Sequence, residues 1–166
     1  KLVMSFHGLP RRNLELGDPY HCQCHKTGRL LAEALHLKPE QWLVTFQSRF
    51  GRAEWLKPYT DKTLEALAVD GVKGVDVVCP GFSSDCLETL EEIAGENREV
   101  FEEAGGEHYT YISALNDDPE HIHVLADIVQ QHTQGWPDMS PDWTESAAQA
   151  HDKNTQDLAK SMGAKQ

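Results

Sequence analysis

The first side chain that could do chemistry is His7, which ends an apolar run from Leu2 to Phe6 and is followed by Gly8. An imidazole titrates near neutral pH, so a histidine here can accept a proton or bind a metal ion. The neighbouring Gly8 allows another backbone or a ligand to approach closely. A purely structural role is equally compatible with the residue type, and the sequence leaves both interpretations open.

Three glutamates, Glu88, Glu92 and Glu96, recur at a spacing of four. In an α-helix this spacing forms one stripe that drifts about 40° per step, and a π-type turn would reduce the drift. The stripe can be a solvated acidic face, or it can line a cleft where clustered carboxylates attract a hard cation. The apolar residues of this helix predict that the glutamates point away from their own sheet. These apolar residues are Leu87, Leu90, Ile93, Ala94 and Phe101.

Four more side chains are candidates for binding a flat, charged ligand. Trp55 and Phe82 can stack on an aromatic ring or fill the core. Arg49 can pair with a ligand carboxylate or with an internal aspartate. Asp85 belongs to the same group because the carboxyl ends of the predicted strands bring His7, Arg49, Trp55, Asp85 and Glu88 to one rim.

A separate pair, His21 and His25, is one helical turn apart and can bind Zn²⁺. Cys22 and Cys24 point elsewhere on a helix, so the four side chains do not converge.

Alternating strands and helices must position these residues. Four helical segments alternate with four strands, at about 19–37, 60–69, 86–104 and 119–129. In the first segment, Leu30, Leu31 and Leu35 recur at helical spacing and predict the face that packs on the sheet. The alternation predicts an α/β fold with a four-stranded parallel sheet flanked by helices. In such sheets ligands bind beyond the carboxyl ends of the strands. The predicted strands are 2–7, 42–47, 75–79 and 109–112, in one domain 1–133 followed by a polar C-terminal extension 134–166.

Composition excludes several classes of protein. The 166 residues carry a formal net charge of -12, which disfavours nucleic acid as a partner. No apolar run approaches the roughly 20 residues of a membrane span. The four cysteines, with no CxxC pair, predict reduced thiols and a cytoplasmic protein. Because the chain opens directly in an apolar run at Lys1, we expect a fragment of a longer protein.

In these same segments the chain resembles the ferrochelatases, the enzymes that insert Fe²⁺ into a porphyrin. Ordered matches cover about 2–129 and are closest to proteobacterial members. The matching blocks are SFHGLP (5–10), GDPY (17–20), FQSRFG (46–51), WLKPYTD (55–61), CPGFSSDCLETLEEI (79–93) and LN (115–116).

The resemblance implies a chelatase-like, Rossmann-type domain and a role for each candidate. His7 corresponds to the catalytic histidine, and Glu88 to the acidic group facing it across the porphyrin. Glu92 and Glu96 fall on a carboxylate path for the metal, so the implied metal ligands are His7, Glu88, Glu92 and Glu96. The implied substrate-binding residues are Trp55, Phe82, Asp85 and Arg49.

The resemblance also defines what to expect of partners and cofactors. Porphyrin and ferrous iron are the expected substrates, the N-terminal half of the enzyme is the expected missing partner, and peripheral membrane association is open. No cysteine follows Cys86, so we expect neither a [2Fe–2S] cluster nor another permanently bound cofactor. Two rivals remain: a cobalt chelatase of related fold, and a non-catalytic module that only binds tetrapyrrole or metal.

Overall fold

A computed structural model describes residues 1–136 and 142–162 of the chain. Its centre is one sheet of four strands, all parallel, in the order β2-β1-β3-β4. The predicted fold class is therefore confirmed. The strands are β1 (Leu2–His7), β2 (Trp42–Gln47), β3 (Gly74–Val78) and β4 (His108–Ile112).

Helical segments alternate with the strands as the sequence predicts. One segment, Glu88–Glu96, is π-helical and continues directly into α4. The helices are α1 (Arg11–Glu15), α2 (Tyr20–Ala34), α3 (Thr60–Val69), α4 (Asn97–Glu103), α5 (Pro119–Thr133) and α6 (Glu145–Ser161).

Alternate side chains along each strand point to opposite faces of the sheet and form two apolar layers. Met4, Phe6, Val44 and Phe46 pack on the face that α2 covers. The opposite face packs against α3, the π-helical segment and α4. Its buried residues include Val3, Val75, Val77, Leu64, Ile93 and Phe101.

The buried face of α2 differs from the prediction. Leu30 and Leu35 are exposed, and the face toward the sheet carries the small residues Cys24, Gly28 and Ala32. A Cβ on Gly28 would lie 2.6 Å from a methyl group of Val44. The helix therefore packs too close to the sheet for leucine at these positions, which apolar periodicity alone cannot reveal.

Contacts divide the chain into two compact units, Lys1–Asp117 and Asp118–Gln166. In the second unit, Asp118 caps α5 by accepting hydrogen bonds from the Glu120 and His121 amides. A domain limit at residue 133 stays a prediction, and residues 137–141 and 163–166 of the expected polar extension lie outside the described residues. Across the described ranges, no helix is long and apolar enough to cross a membrane.

Candidate active site

The candidate site lies at the carboxyl edge of the sheet, where His7 and Gln47 end adjacent strands and pair in register. The π-helical segment follows the third strand of the chain, and the crossover brings its first turn to the same edge. Residues 40 to 80 positions apart in sequence thus meet because parallel strands end on one side.

His7 has its two ring nitrogens in different environments. Nδ1 lies 2.7 Å from the carbonyl oxygen of Gly8. A carbonyl oxygen only accepts hydrogen bonds, so Nδ1 must carry the proton. In the neutral ring, Nε2 then holds the lone pair and is the atom free to accept a proton or bind a metal ion. The backbone is also held, since the Tyr20 hydroxyl donates to the His7 carbonyl at 2.8 Å.

Glycine is required at position 8 because the end of β2 and the Trp55 side chain both lie very close to its backbone. Its amide donates to the Gln47 carbonyl at 2.8 Å. A Cβ at this position would lie 2.7 Å from that carbonyl oxygen and 3.1 Å from the Trp55 ring. Only glycine fits, and the turn after His7 is therefore fixed against the end of β2.

Gln47 ties the sheet edge to the glutamate helix. Its buried side chain donates through Nε2 to the Glu88 carbonyl at 2.8 Å and accepts from the Ser5 hydroxyl at 2.7 Å. The Cys79 thiol also donates to it, at 3.4 Å. Burial raises the pKa of Cys79 to about 12, so this thiol is protonated at neutral pH and acts as a hydrogen-bond donor.

Glu88 lies within electrostatic reach of His7. Hydrogen bonds from Cys86 and from its own amide lower the pKa of Glu88, and the charge of His7 adds a smaller contribution in the same direction. The glutamate is therefore ionised at neutral pH, near the imidazole of His7.

Glu92 points to the sheet edge rather than away from it, so the predicted direction is wrong for this residue. Its two carboxylate oxygens accept from the Ser48 amide at 2.7 Å and from the Ser48 hydroxyl at 2.5 Å. Ser48 adopts a left-handed backbone with φ of 61°, which is uncommon outside glycine. This turn directs both Ser48 donors at one carboxylate.

The π-helical winding explains the error. The buried side chains of the segment are Thr89 and Ile93, followed by Asn97 and Phe101 in α4. Leu87 and Leu90, which were expected to be buried, are exposed. The wider π turn keeps a spacing of four on one face, so Ile93 and Phe101 stay buried while Leu87 and Leu90 turn into solvent.

A cavity of about 270 Å³ opens beside Glu92. Asn97 lies at its wall and is 4% exposed. Its Nδ2 donates to the Glu92 carbonyl at 2.7 Å, while Oδ1 is buried and accepts no hydrogen bond from the described residues. The lining residues are Gln47, Arg49, Thr60, Asp61, Glu92, Glu96, Asn97 and Val100.

Arg49 pairs with an internal aspartate, one of the two alternatives for this residue. Both of its terminal nitrogens bind Asp61, at 2.5 and 2.7 Å, and its guanidinium lies 4.2 Å from the centre of the Tyr59 ring. The hydrogen bonds from Arg49 lower the pKa of Asp61. This fork-to-fork pair gives the cavity a fixed wall.

Asp85 is surrounded by donors. One carboxylate oxygen accepts from the hydroxyls of Tyr111 at 2.6 Å and Thr89 at 3.1 Å, and from the Ala114 amide at 3.2 Å. The other accepts from Asn116 at 2.9 Å. Desolvation acts to raise the pKa of Asp85, but these hydrogen bonds outweigh it and the pKa is lowered.

The two aromatic candidates differ in exposure. Trp55 is 7% exposed; its indole N–H donates to the Phe50 carbonyl at 3.0 Å, and its ring lies against that of Phe50. Phe82 is half-buried, with its ring centre 6.5 Å from that of His7. Phe82 is therefore close to the basic imidazole, whereas Trp55 supports the turn at Gly8.

The family model described as ferrochelatase matches residues 1–133. The chain belongs to the ferrochelatase family.

Individual ferrochelatases are similar over 82% to 100% of the chain. The protein named ferrochelatase in Thioalkalivibrio sulfidiphilus is 60% identical over 165 residues, covering 99% of this chain and 45% of the relative. That of Nitrosococcus oceani is 59% identical over 167 residues, with coverages of 100% and 45%. That of Dechloromonas aromatica is 64% identical over 136 residues, with coverages of 82% and 37%. The chain spans about half the length of the curated relatives it matches.

Within this ferrochelatase domain, sequence reasoning missed several contributors. Gln47 and Ser48 entered the sequence analysis only within the block FQSRFG at the end of the second strand, and the partner of Arg49 was not identified as Asp61. Asn97 carried no signal, because a single asparagine in a helix is unremarkable until its oxygen is found buried. The strand-end position of Gln47 and Ser48 was the one clue available.

Proposed function

We propose that the protein containing this chain inserts Fe²⁺ into protoporphyrin IX to form protohaem, and that this chain supplies the basic histidine and the carboxylate path. The arrangement at His7 carries the proposal. The Gly8 carbonyl fixes the proton on Nδ1, which leaves Nε2 basic at the open edge of the sheet.

His7 and Glu88 are the proposed catalytic pair. A free-base porphyrin loses two pyrrole protons as Fe²⁺ enters the ring. His7 Nε2 takes one of them as general base, and an ionised Glu88 on the other side of the ring interacts with the incoming metal or the second proton. The lowered pKa of Glu88 supports a charged carboxylate in this role.

Glu92 and Glu96 are the proposed continuation of the metal path. Oxygen ligands suit Fe²⁺ without trapping it as thiolates would. The cavity beside both glutamates and the unsatisfied Oδ1 of Asn97 support a hydrated cation passing there. Among the described residues, no three His, Cys, Asp or Glu side chains form a ready metal cage. This arrangement is compatible with weak, successive contacts to a moving ion rather than with a tight metal-binding site.

The proposed porphyrin-contacting residues have unequal support. The 6.5 Å separation of the Phe82 and His7 rings supports Phe82 beside the macrocycle. For Trp55, Arg49 and Asp85 the contacts within the chain support a role in shaping the pocket walls. Binding of the ring also requires the remainder of the protein, since the relatives are about twice as long. A cytoplasmic location and peripheral membrane association stay parts of this proposal.

Metal insertion by the full-length protein tests the function. Loss of protoporphyrin fluorescence under anaerobic conditions reports insertion of Fe²⁺, and parallel reactions with Co²⁺ and an early tetrapyrrole test the cobalt-chelatase alternative. We expect His7→Ala to lower kcat by about 10³-fold while the porphyrin Kd changes little. His123→Ala, at an exposed position in α5, is the matched control and should retain wild-type kcat.

Two outcomes would contradict the proposal. Insertion at wild-type rate by His7→Ala would remove the base role of His7. Tight porphyrin binding by the wild-type protein without any metal insertion would favour the non-catalytic binding module.

A further inference from the structure

Two histidines of α2 form a pair that the proposed reaction does not use. The ring centres of His21 and His25 are 4.5 Å apart, with an angle of 53° between the planes. Both rings lie against Phe46, at 5.5 Å in a stacked arrangement and at 6.1 Å edge-on. Phe46 is 1% exposed and belongs to β2, so it is a rigid platform beneath the pair.

The ring separation fits simultaneous coordination of one metal ion. A nitrogen bound to Zn²⁺ lies about 2.0–2.1 Å from the metal, which puts the ring centre about 3.2 Å away. Two rings at that radius, with centres 4.5 Å apart, subtend about 90° at the metal. This angle is available in square-planar and octahedral sites and requires only modest opening for a tetrahedral one.

We propose that His21 and His25 bind a borderline divalent ion such as Zn²⁺ as a bidentate, solvent-open site. Within the ranges that the structure describes, no third His, Cys, Asp or Glu completes a metal cluster. Water therefore fills the remaining coordination positions. Contact with Phe46 reduces the rotational freedom that the two imidazoles would lose on binding.

Location separates this pair from the carboxylate path. Imidazole suits Zn²⁺, Cu²⁺, Ni²⁺ and iron, and the first three lie above Fe²⁺ in the general order of affinities. Phe46 packs on the α2 face of the sheet, whereas Ile93 of the glutamate segment packs on the opposite face. The pair thus lies on the other face of the sheet and should bind Zn²⁺, Cu²⁺ or Ni²⁺ more tightly than Fe²⁺.

Calorimetric titration of the full-length protein with Zn²⁺, under reducing conditions, tests the site. We expect His21→Gln and His25→Gln each to remove one Zn²⁺ equivalent or weaken it at least about tenfold. The double variant should lose no more than either single variant, because both ligands hold one ion. His121→Gln and His123→Gln are matched controls, since residues two apart on a helix do not face each other, and they should leave the isotherm unchanged.

Chemical protection provides a second measurement. Zn²⁺ should protect His21 and His25 together against carbethoxylation in the wild-type protein, and protection of both should vanish in either single variant. Isotherms unchanged in both variants, or losses that add as two independent sites, would overturn the bidentate site. Fe²⁺ insertion by the same variants should match wild type, so failure here is distinguishable from failure of the proposed catalytic function.

Discussion

Asp85 and Glu96 are carboxylates just before and at the end of the same π-helical segment, but they differ in their surroundings. Asp85 receives hydrogen bonds from Tyr111, Thr89, Ala114 and Asn116. The Glu96 side chain is exposed, makes no hydrogen bond or ion pair with the described residues, and lines the cavity beside the unsatisfied oxygen of Asn97. A carboxylate saturated by protein donors stabilises a fold, whereas a solvated one beside a cavity is available to a cation.

The comparison predicts the largest stability effect at Asp85. Asp85→Asn replaces an acceptor oxygen with a donor among groups that already donate, so the unfolding free energy should fall by about 2 kcal/mol. Glu96→Gln is the matched amide substitution and should cost less than about 0.5 kcal/mol. Urea denaturation of the full-length variants checks both. Equal losses at the two positions would remove the distinction between them.

In the insertion assay, Glu96→Gln should have the larger effect of the two substitutions and Asp85→Asn the smaller. Glu96→Gln should raise the KM for Fe²⁺ about tenfold, because it removes a charge from the proposed metal path. Asp85→Asn, measured where it remains folded, should leave that KM within about threefold. A fully folded Asp85→Asn protein with a large rise in porphyrin KM would instead support the direct substrate contact implied by family resemblance.

A pH dependence of stability should accompany the Asp85 network. The pKa of Asp85 in the folded protein is lowered from its ordinary value of 3.8. Its contribution is therefore fully present above that value and is lost as pH falls through the lower, folded pKa. Denaturation midpoints measured from neutral pH to about pH 3 should fall more steeply in wild type than in Asp85→Asn. Parallel slopes would mean that the carboxylate titrates alike in the folded and unfolded chain.

The sequence was sufficient for the features that depend on strand order. Alternating strands and helices predicted the parallel sheet, and the rule that ligands bind at carboxyl ends brought His7 and Glu88 to one edge. The direction of Glu92 could not be predicted, because it depends on the left-handed turn at Ser48 and on π-helical winding. The prediction of the buried face of α2 was wrong for a similar reason. The short distance between helix and sheet, rather than apolarity, requires glycine at position 28.

The smallest predicted effect isolates that turn at Ser48. Ser48→Ala removes the hydroxyl that donates to Glu92 but keeps the amide donor. The interaction that holds the Glu92 carboxylate in place should therefore weaken by about 1 kcal/mol. We expect the KM for Fe²⁺ to rise about fivefold with porphyrin KM unchanged. Ser48→Asn tolerates the left-handed backbone and offers a side-chain N–H donor, so it should restore part of the loss, which a general defect in folding would not allow. If Ser48→Ala changed kcat and both KM values equally, Glu92 would be acting on the reaction centre itself rather than on metal delivery.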